Sequence, residues 1–252
     1  MRPVEDVMEE IDYLVQTYNI TELSFLDDCL LLDRRRINAV LNGLIERGYG
    51  LTWKAVTVCA WHLDRKLLEL MKKSGCTQVT ISVESGCQRV LREIIHKPLK
   101  LEIIPDVVRN CKEVGINLGA NFVIGFPGET WDEIRQTFHF AESQNFDVTH
   151  FHIATPLPKT DLYRIAKDNK MVAPNFSFTD ESFFGFGNAF ITTDEFTPTE
   201  LLVLRAYEWD RINFSSLEKT AKVAEMYHTS SERLREHRKQ TRLKCGVYFE
   251  KL

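Results

Sequence analysis

The chain has 252 residues, of which 44% are hydrophobic and 27% are charged, and its formal net charge is −4. This length and composition provide enough apolar surface for one large domain with a buried core. The negative charge argues against a dedicated nucleic-acid-binding protein. No run approaches the roughly 20 apolar residues of a membrane span, and acidic residues follow the N-terminal Met-Arg-Pro, unlike a secretory signal. We therefore expect a soluble, cytoplasmic protein without a membrane or nucleic-acid partner.

Short β-branched or aromatic runs alternate with longer amphipathic stretches, and this alternation predicts a repeated strand–helix unit. The first helix begins after Pro3. The predicted strands are residues 22–26, 51–58, 77–85, 116–125 and 148–155. The predicted helices between and after them are residues 34–48, 63–75, 87–95, 101–115, 129–145 and 160–168. Asp33 is expected to cap the second helix, while Gly48 and Gly75 are expected to end their helices.

Apolar strands joined by helical crossovers favour a parallel sheet covered on both faces, or a curled, barrel-like sheet. In either arrangement ligands bind at the carboxyl ends of the strands. These ends read LDD (26–28), TVCA (57–60), VESG (83–86), IGFPGE (124–129) and ATPLPKT (154–160). The candidate site therefore lies along this edge of the sheet.

The segment IGFPGE has an unusual composition for the end of a buried strand. Gly125 and Gly128 lack a Cβ, so the backbone there is expected to approach a ligand closely. Pro127 stiffens the turn, and Glu129 is expected to complement the positive end of the following helix.

After residue 170 the chain becomes rich in aromatic residues and glycine, and then helical again. Thr197 and Pro198 are typical of the first turn of a helix, and further helices are predicted near residues 215–226 and 229–242. We expect a barrel domain at residues 1–170 and a C-terminal extension at residues 171–252 that packs on it.

The cysteine and histidine positions predict no metal site. The six cysteines are scattered without CxxC spacing, which is typical of reduced, buried thiols; they are Cys29, Cys59, Cys76, Cys87, Cys111 and Cys245. His150 and His152 share one face of a predicted strand. Buried polar packing is the favoured interpretation for this pair, and a metal pair is the alternative.

Five segments, in this order and spacing, resemble radical S-adenosylmethionine (radical SAM) enzymes, in particular the subgroup with an N-terminal cobalamin-binding domain. They are ELSFLDDCLLLD, LLELMKKSGC, ISVESGCQRVL, ANFVIGFPGET and IATPLPKTDLY. The resemblance covers roughly residues 3 to 169. It implies an α/β fold, a partial (β/α)6 TIM-like barrel, with S-adenosylmethionine bound across the strand ends.

The resemblance also implies roles for individual residues. Asp27 and Asp28 would meet the methionine amino group, and Glu84, with Ser85 beside it, would approach the ribose or the amino acid end. The adenine would be flanked by residues at the carboxyl ends of the last two strands and in the turns after them; these are Asn121, Gly125, Gly128, Thr155 and Pro156. Carboxylates suit an ammonium group and ribose hydroxyls, so the assignment agrees with the chemistry of the residues. Turn capping by Asp27 is the alternative.

The family's defining CxxxCxxC loop is absent from the sequence. Its three thiolates hold a [4Fe-4S] cluster whose open iron binds S-adenosylmethionine. MRPVEDVMEEIDYLV resembles the first barrel helix, so the first strand, the cluster loop and any cobalamin domain would lie upstream. The chain is then a fragment, a split-gene product or a degenerate protein, and we favour the fragment. The exposed edge at residues 22–26 is expected to self-associate or to pair with the missing N-terminal piece.

Three smaller departures from the subgroup weaken the match at single positions. Val58 stands where an Arg is usual, Cys29 replaces an Asn, and Lys159 replaces the Gly of a Pro-Gly-Thr turn. The last change predicts that the turn is of another type, in which the position of positive φ has shifted.

Three functions remain open from the sequence. The first is a radical SAM core whose full-length parent cleaves S-adenosylmethionine reductively on an unidentified small-molecule substrate, with cobalamin-dependent methyl transfer as one form of this chemistry. The second is a cluster-free binding or scaffold protein with the same fold. The third is an ordinary barrel enzyme that uses Asp27, Asp28, Glu84 and His152 as acid–base or metal groups.

Overall fold

The computed structural model describes residues 1–178 and 188–244. Its α-helices are α1 (Val4–Tyr18), α2 (Arg34–Arg47), α3 (Arg65–Lys73), α4 (Ile104–Val114), α5 (Trp131–Ser143), α6 (Asp161–Asp168), α7 (Pro198–Asn213), α8 (Leu217–Met226) and α9 (Ser231–Lys244). Its strands are β1 (Glu22–Phe25), β2 (Thr52–Val58), β3 (Cys76–Glu84), β4 (Asn117–Ile124) and β5 (Val148–Ile153). Among these helices none has both the length and the apolar character that crossing a membrane requires.

The five strands form one sheet in the order β1-β2-β3-β4-β5, so each strand lies beside its neighbour in the chain. β1 runs parallel to β2 with Leu23 opposite Trp53, and β2 runs parallel to β3 with Lys54 opposite Gln78. Helical crossovers between parallel neighbours are the repeat of βα barrels. The α/β prediction is therefore confirmed, with five strands in the described residues where the complete barrel has six.

Two compact units make up the chain. Unit 1 comprises residues 1–83 and 100–120, and unit 2 comprises residues 84–99 and 121–252. The domain boundary that the sequence predicts near residue 170 stays a prediction.

The core of unit 1 centres on Trp53 of β2, which is fully buried. Its ring meets Phe25 edge-on at 5.4 Å, and its indole N–H donates to Ser74 Oγ at 3.1 Å. The ring thus contributes apolar area while its one polar atom stays satisfied. On the outside, α1 packs on α2, where Met8 lies within 3.4 Å of the position that a Cβ on Gly43 would occupy.

The core of unit 2 is a group of aromatic rings around Phe122 of β4. Phe122 stacks on Phe151 of β5 at 5.4 Å and meets Phe146 edge-on at 6.1 Å. α7 then packs against β5. There Asn213 accepts from Thr149 N at 2.7 Å and donates to Thr149 O at 2.9 Å. This side chain satisfies backbone groups that an edge strand would otherwise leave open.

Helix capping follows the sequence closely. Asp33 accepts from the N–H groups of Arg35 and Arg36, as predicted, and Gly48 ends α2 in the left-handed conformation. Gly75 ends α3, as predicted: it follows the C-cap Ser74 with φ 102°, and its N–H donates to Lys72 O at 3.1 Å. A Cβ there would lie 2.2 Å from the carbonyl oxygen of Leu51, so close backbone approach is a second reason for this glycine.

The helix predicted at residues 87–95 differs from the structure. It is a π-helical turn at Val90–Ile94, with Ile95 N donating to Val90 O at 2.9 Å. The sequence pattern indicates helical spacing but does not distinguish i+5 from i+4 hydrogen bonds.

Candidate functional site

Glu84 ends β3 in an unusual backbone conformation. Its φ is 71°, in the left-handed region that a residue with a Cβ adopts rarely. Its carboxylate forms an ion pair with Lys97, with 3.2 Å between Nζ and Oε1, and both side chains are mostly buried. Strained conformations of this kind concentrate at functional sites. The carboxylate is therefore held at the strand end by the backbone and by a cation.

Lys97 reaches Glu84 because the chain between them turns through the π-helical segment. Lys97 N donates to Leu91 O at 2.8 Å, and His96, with φ 58°, reverses the chain just before it. π-helical turns often occur beside functional sites. The turn therefore brings Lys97 back to the end of β3, where its side chain pairs with Glu84.

Ser85 follows Glu84 and is fully buried. Its hydroxyl lies 3.1 Å from Thr137 Oγ1 of α5 and accepts from Cys87 N at 3.1 Å. These contacts engage the side chain within the protein. Ser85 therefore positions the loop after β3.

The glycine turn after β4 is organised around Glu129. Its Oε2 accepts from Gly125 N at 2.7 Å and from Phe126 N at 3.1 Å, while the side chain is 1% exposed. Oε1 is buried and has no hydrogen-bond partner among the described residues. Burial raises the pKa of Glu129 from 4.5 to about 7, although the two N–H groups oppose the shift.

The predicted helix-capping role of Glu129 is therefore a misassignment. α5 is capped by Thr130, whose hydroxyl accepts from Glu133 N while Glu133 accepts from Thr130 N. Such a capping box satisfies the first turn without help from Glu129. Glu129 instead closes the turn that precedes the helix.

Gly125 and Gly128 both have positive φ, 86° and 84°. At Gly125 a Cβ would lie 2.6 Å from Leu201 Cδ1 of α7, so this side of the backbone faces a packed side chain. The sequence interpretation, in which the missing Cβ makes room for a ligand, does not describe Gly125. Its conformation and the packing of α7 account for the glycine.

An arginine joins the segment after β3 to the glycine turn. Arg89 donates to Gly128 O at 2.9 Å and to Glu133 Oε2 at 2.6 Å. The hydrogen bond from Arg89 is the main reason why the pKa of Glu133 falls to about 2. Arg89 and Glu133 therefore stay ion-paired at neutral pH and well below it, and this pair supports the glycine turn through the hydrogen bond from Arg89 to Gly128 O.

The end of β5 lies next to the end of β4, since Ala154 N donates to Ile124 O at 2.9 Å. Thr155 is partly buried and its hydroxyl donates to Ile153 O at 3.1 Å, while Pro156 is buried. Lys159 has φ 63°. The turn therefore keeps a left-handed residue, against the expectation that replacing glycine there changes the turn type.

The remaining predicted residues are Asp27 and Asp28, which follow β1 in unit 1, and Asn121, which lies within β4. Asp27 and Asp28 are exposed, line a cavity of about 410 Å³ that also includes Phe25 and Leu30, and form no hydrogen bond or ion pair with the described residues. Asn121, which begins the unit 2 part of β4, is partly buried. Among the predicted residues, the ends of β3, β4 and β5 bring Glu84, Gly125 and Thr155 to one edge of unit 2.

The described cysteines and histidines do not fit a metal centre. Residues 1–178 and 188–244 hold no group of three His, Cys, Asp or Glu side chains that would bind a metal ion. Cys245 lies outside the described residues. Burial raises the pKa of Cys76 far above its ordinary value, which disfavours the thiolate that iron requires. An iron–sulfur cluster therefore does not fit this part of the chain, and no chemical step of that group is assigned to it.

Lys97, Arg89 and Glu133 were not among the residues that the sequence pointed to. Each acts through a partner 13 to 44 residues away, so no local pattern indicates it. The reciprocal Thr130–Glu133 capping box was visible as TxxE, but the second use of Glu133 by Arg89 was not.

The sequence of this chain matches a known protein family and several characterised or named relatives. The model of the radical SAM superfamily matches residues 1–141. Cytidylyl-2-hydroxyethylphosphonate methyltransferase from Streptomyces wedmorensis is 34% identical over 170 residues, which cover 65% of this chain and 32% of that protein. An uncharacterized methyltransferase from Pyrococcus horikoshii is 34% identical over 169 residues, or 67% of this chain and 36% of that protein. The chain thus spans about a third of the length of these relatives.

Solved structures share the fold. TsrM from Kitasatospora setae, a radical S-adenosylmethionine methyltransferase with cobalamin and a [4Fe-4S] cluster bound, superposes with a TM-score of 0.60 at 22% identity, over 72% of this chain and 37% of that one. Coproporphyrinogen III oxidase from Escherichia coli superposes with a TM-score of 0.52 at 16% identity, over 69% of this chain and 43% of that one.

Proposed function

Because this chain belongs to the radical SAM superfamily, we propose that it binds S-adenosylmethionine at the carboxyl ends of its strands. The observation that carries the proposal is the state of Glu84. A carboxylate held at a strand end in a left-handed conformation, and paired with Lys97, is arranged to accept hydrogen bonds from a ligand. Ribose hydroxyls or the amino group of the cofactor are donors that suit it.

Asp27 and Asp28 of unit 1 keep the role that the family resemblance implies, negative charge for the methionine ammonium, as a separate prediction; neither carboxylate is engaged by the described residues. The other residues of the proposed site lie in unit 2 and have separate tasks. Backbone after β4 and β5, at Gly125, Gly128 and Thr155, flanks the adenine. Ser85 and Arg89 touch no ligand in this proposal and position the two loops.

Radical chemistry needs more than these residues. The described cysteines do not fit a cluster, so a protein that cleaves S-adenosylmethionine reductively must supply three thiolates from other residues. Pairing of the open edge of β1 with a segment that carries them is part of the same proposal. The named relatives include methyltransferases, and TsrM binds cobalamin, which supports methyl transfer as the reaction class of a protein that joins this fold to a cluster.

Calorimetric titration of the chain with S-adenosylmethionine tests the proposal. We expect saturable 1:1 binding, and Glu84→Gln is expected to raise Kd about tenfold or more, because it removes a charge-assisted acceptor. The matched control is Glu46→Gln, at an exposed residue of α2 whose side chain forms no hydrogen bond or ion pair with the described residues. It removes the same charge and is expected to leave Kd unchanged.

A cluster-free scaffold protein is the second candidate, and the lack of a cluster-binding group in the described residues favours it. Only its pure scaffold form, in which the cofactor site is lost, predicts no S-adenosylmethionine binding; a cluster-free binding protein would still bind it. If the wild-type chain is folded and shows no heat of binding at millimolar cofactor, the cofactor proposal is abandoned for this chain.

A further inference from the structure

Unit 2 contains a cavity, which we call the C-terminal cavity, and none of its lining residues belongs to the glycine turn. It has a volume of about 790 Å³, which is in the range of small-molecule sites. β5, α7 and α9 contribute most of its lining, and residues between α8 and α9 complete it. The proposed cofactor site uses none of these residues.

The charges around the C-terminal cavity are all of one sign among the described residues. Arg205, Arg233 and Lys244 line it, together with three histidines, and no described carboxylate does. Asp210 follows the lining residue Trp209 in the sequence, but its carboxylate is already paired with Arg238 and Arg242, at 2.7 and 3.0 Å. The lining therefore has excess positive charge, which attracts anions.

The basic residues are arranged by depth. Arg205 of α7 is only 9% exposed and belongs to the floor, whereas Arg233 and Lys244 of α9 are exposed at the rim. Positions 233, 237, 241 and 244 follow one stripe of α9, so a single helix face supplies the rim. Neither rim cation has a hydrogen bond or ion pair through its side chain among the described residues.

Two histidines and two aromatic side chains also line the C-terminal cavity. His150 Nε2 lies 3.5 Å from the hydroxyl of Tyr227, and the ring of His152 is 6.5 Å away. Burial, with a smaller effect of His152, lowers the pKa of His150 to about 4, so this ring is neutral at pH 7. Trp209 and Tyr227 provide flat apolar surface beside these polar atoms.

We propose that the C-terminal cavity binds an organic phosphate with an aromatic portion. Arg205, Arg233 and Lys244 bind the phosphoryl group, and Trp209 and Tyr227 contact the ring. A phosphate monoester carries a charge of about −1.5 to −2 at pH 7, which matches several cations better than a single carboxylate does. The proposal is independent of cofactor binding.

Phenyl phosphate is the probe, titrated calorimetrically into the full chain at low ionic strength. We expect one site that binds phenyl phosphate at least about tenfold more tightly than benzoate or inorganic phosphate, because only this probe has both halves. The double variant Arg233→Gln/Lys244→Gln is expected to weaken binding by about tenfold or more. These side chains are exposed, so the variant is expected to fold normally.

The matched control is Arg235→Gln/Lys239→Gln, which removes the same charge from the side of α9 that does not line the cavity. It is expected to change Kd less than twofold. Equal weakening by both double variants indicates general electrostatic attraction and overturns the proposal, as does the absence of saturable binding by the wild type. The single variant Arg205→Gln, whose folding is checked by circular dichroism, is also expected to weaken the binding of phenyl phosphate. S-adenosylmethionine affinity is expected to stay unchanged in the rim variant, which separates this test from the cofactor test.

Discussion

The acidic segments after β1 and after β4 are held in opposite ways. Asp27 and Asp28 are exposed at the end of β1 and have no hydrogen bond or ion pair among the described residues. Glu129, five residues after the end of β4, is buried and accepts two backbone N–H groups. The contrast separates two uses of a carboxylate. One is left for a ligand or solvent, and the other replaces missing backbone partners inside the fold.

Removal of the Glu129 carboxyl group is expected to have the largest effect on stability. Glu129→Ala leaves the N–H groups of Gly125 and Phe126 buried without an acceptor, which we expect to lower the free energy of unfolding by about 4 kcal/mol at pH 5. Urea denaturation followed by circular dichroism measures it. Glu129→Gln keeps an acceptor oxygen and is expected to stay within about 1 kcal/mol of the wild type. Equal losses in both variants would show that the hydrogen bonds are not the cause.

The pH dependence of the same residue is the next largest effect. The folded pKa of Glu129, about 7, lies above its ordinary value of 4.5, so the native state holds the proton more tightly than the unfolded state does. Its contribution to stability is therefore complete below about pH 4.5 and is lost as pH rises through 7. The total change is about 3 kcal/mol, from about 1.4 kcal/mol per pKa unit.

Comparison with Glu129→Gln isolates this change. From pH 5 to pH 7.5 the wild type is expected to lose stability relative to the variant, since other groups cancel in the difference. Glu133, whose pKa is about 2, has the opposite dependence and loses its contribution only as pH falls below about 4.5, outside this range. A flat difference between the two proteins would mean that Glu129 is charged at neutral pH.

The carboxylates after β1 are expected to have the smallest effect on stability. The double variant Asp27→Asn/Asp28→Asn removes no hydrogen bond or ion pair between the described residues, so the free energy of unfolding should change by less than about 0.5 kcal/mol. S-adenosylmethionine affinity should nevertheless fall about tenfold, because a charge partner of the ammonium is lost. Thermal melting and calorimetry measure the two quantities. A large loss of stability with unchanged affinity would show that these two carboxylates stabilise the fold and do not bind the cofactor.

Much of the fold is readable from local sequence. All five strands and the α-helices before residue 170 occur where the apolar periodicity predicts them, because burial of one face depends on spacing within a short segment; the segment at residues 87–95 is the exception. Caps such as Asp33 and Thr197 are also predictable, since each satisfies N–H groups two or three residues away. The π-helical turn at residues 90–94 is not predictable in this way, because an α-helix with the same composition would show the same apolar spacing and differ only in its hydrogen bonds.

The candidate site is readable only in part. Glu84 and the glycine turn are marked by their types and positions, but the partners that fix them are distant. Leu201 fills the space beside Gly125 from 76 positions further along the chain, and Arg89 reaches Glu133 across 44 positions. No pattern in the flanking residues indicates either contact.

The sequence by itself determined the strand–helix repeat, the helix caps and the acidic or glycine-rich strand ends, since each depends on interactions between residues a few positions apart. Only the tertiary structure decided that Glu129 closes a turn, that Lys97 returns to Glu84, and that β5, α7 and α9 enclose a basic cavity. These features depend on which distant segments pack together. That packing sets the burial and the neighbouring charges from which a side chain takes its chemistry.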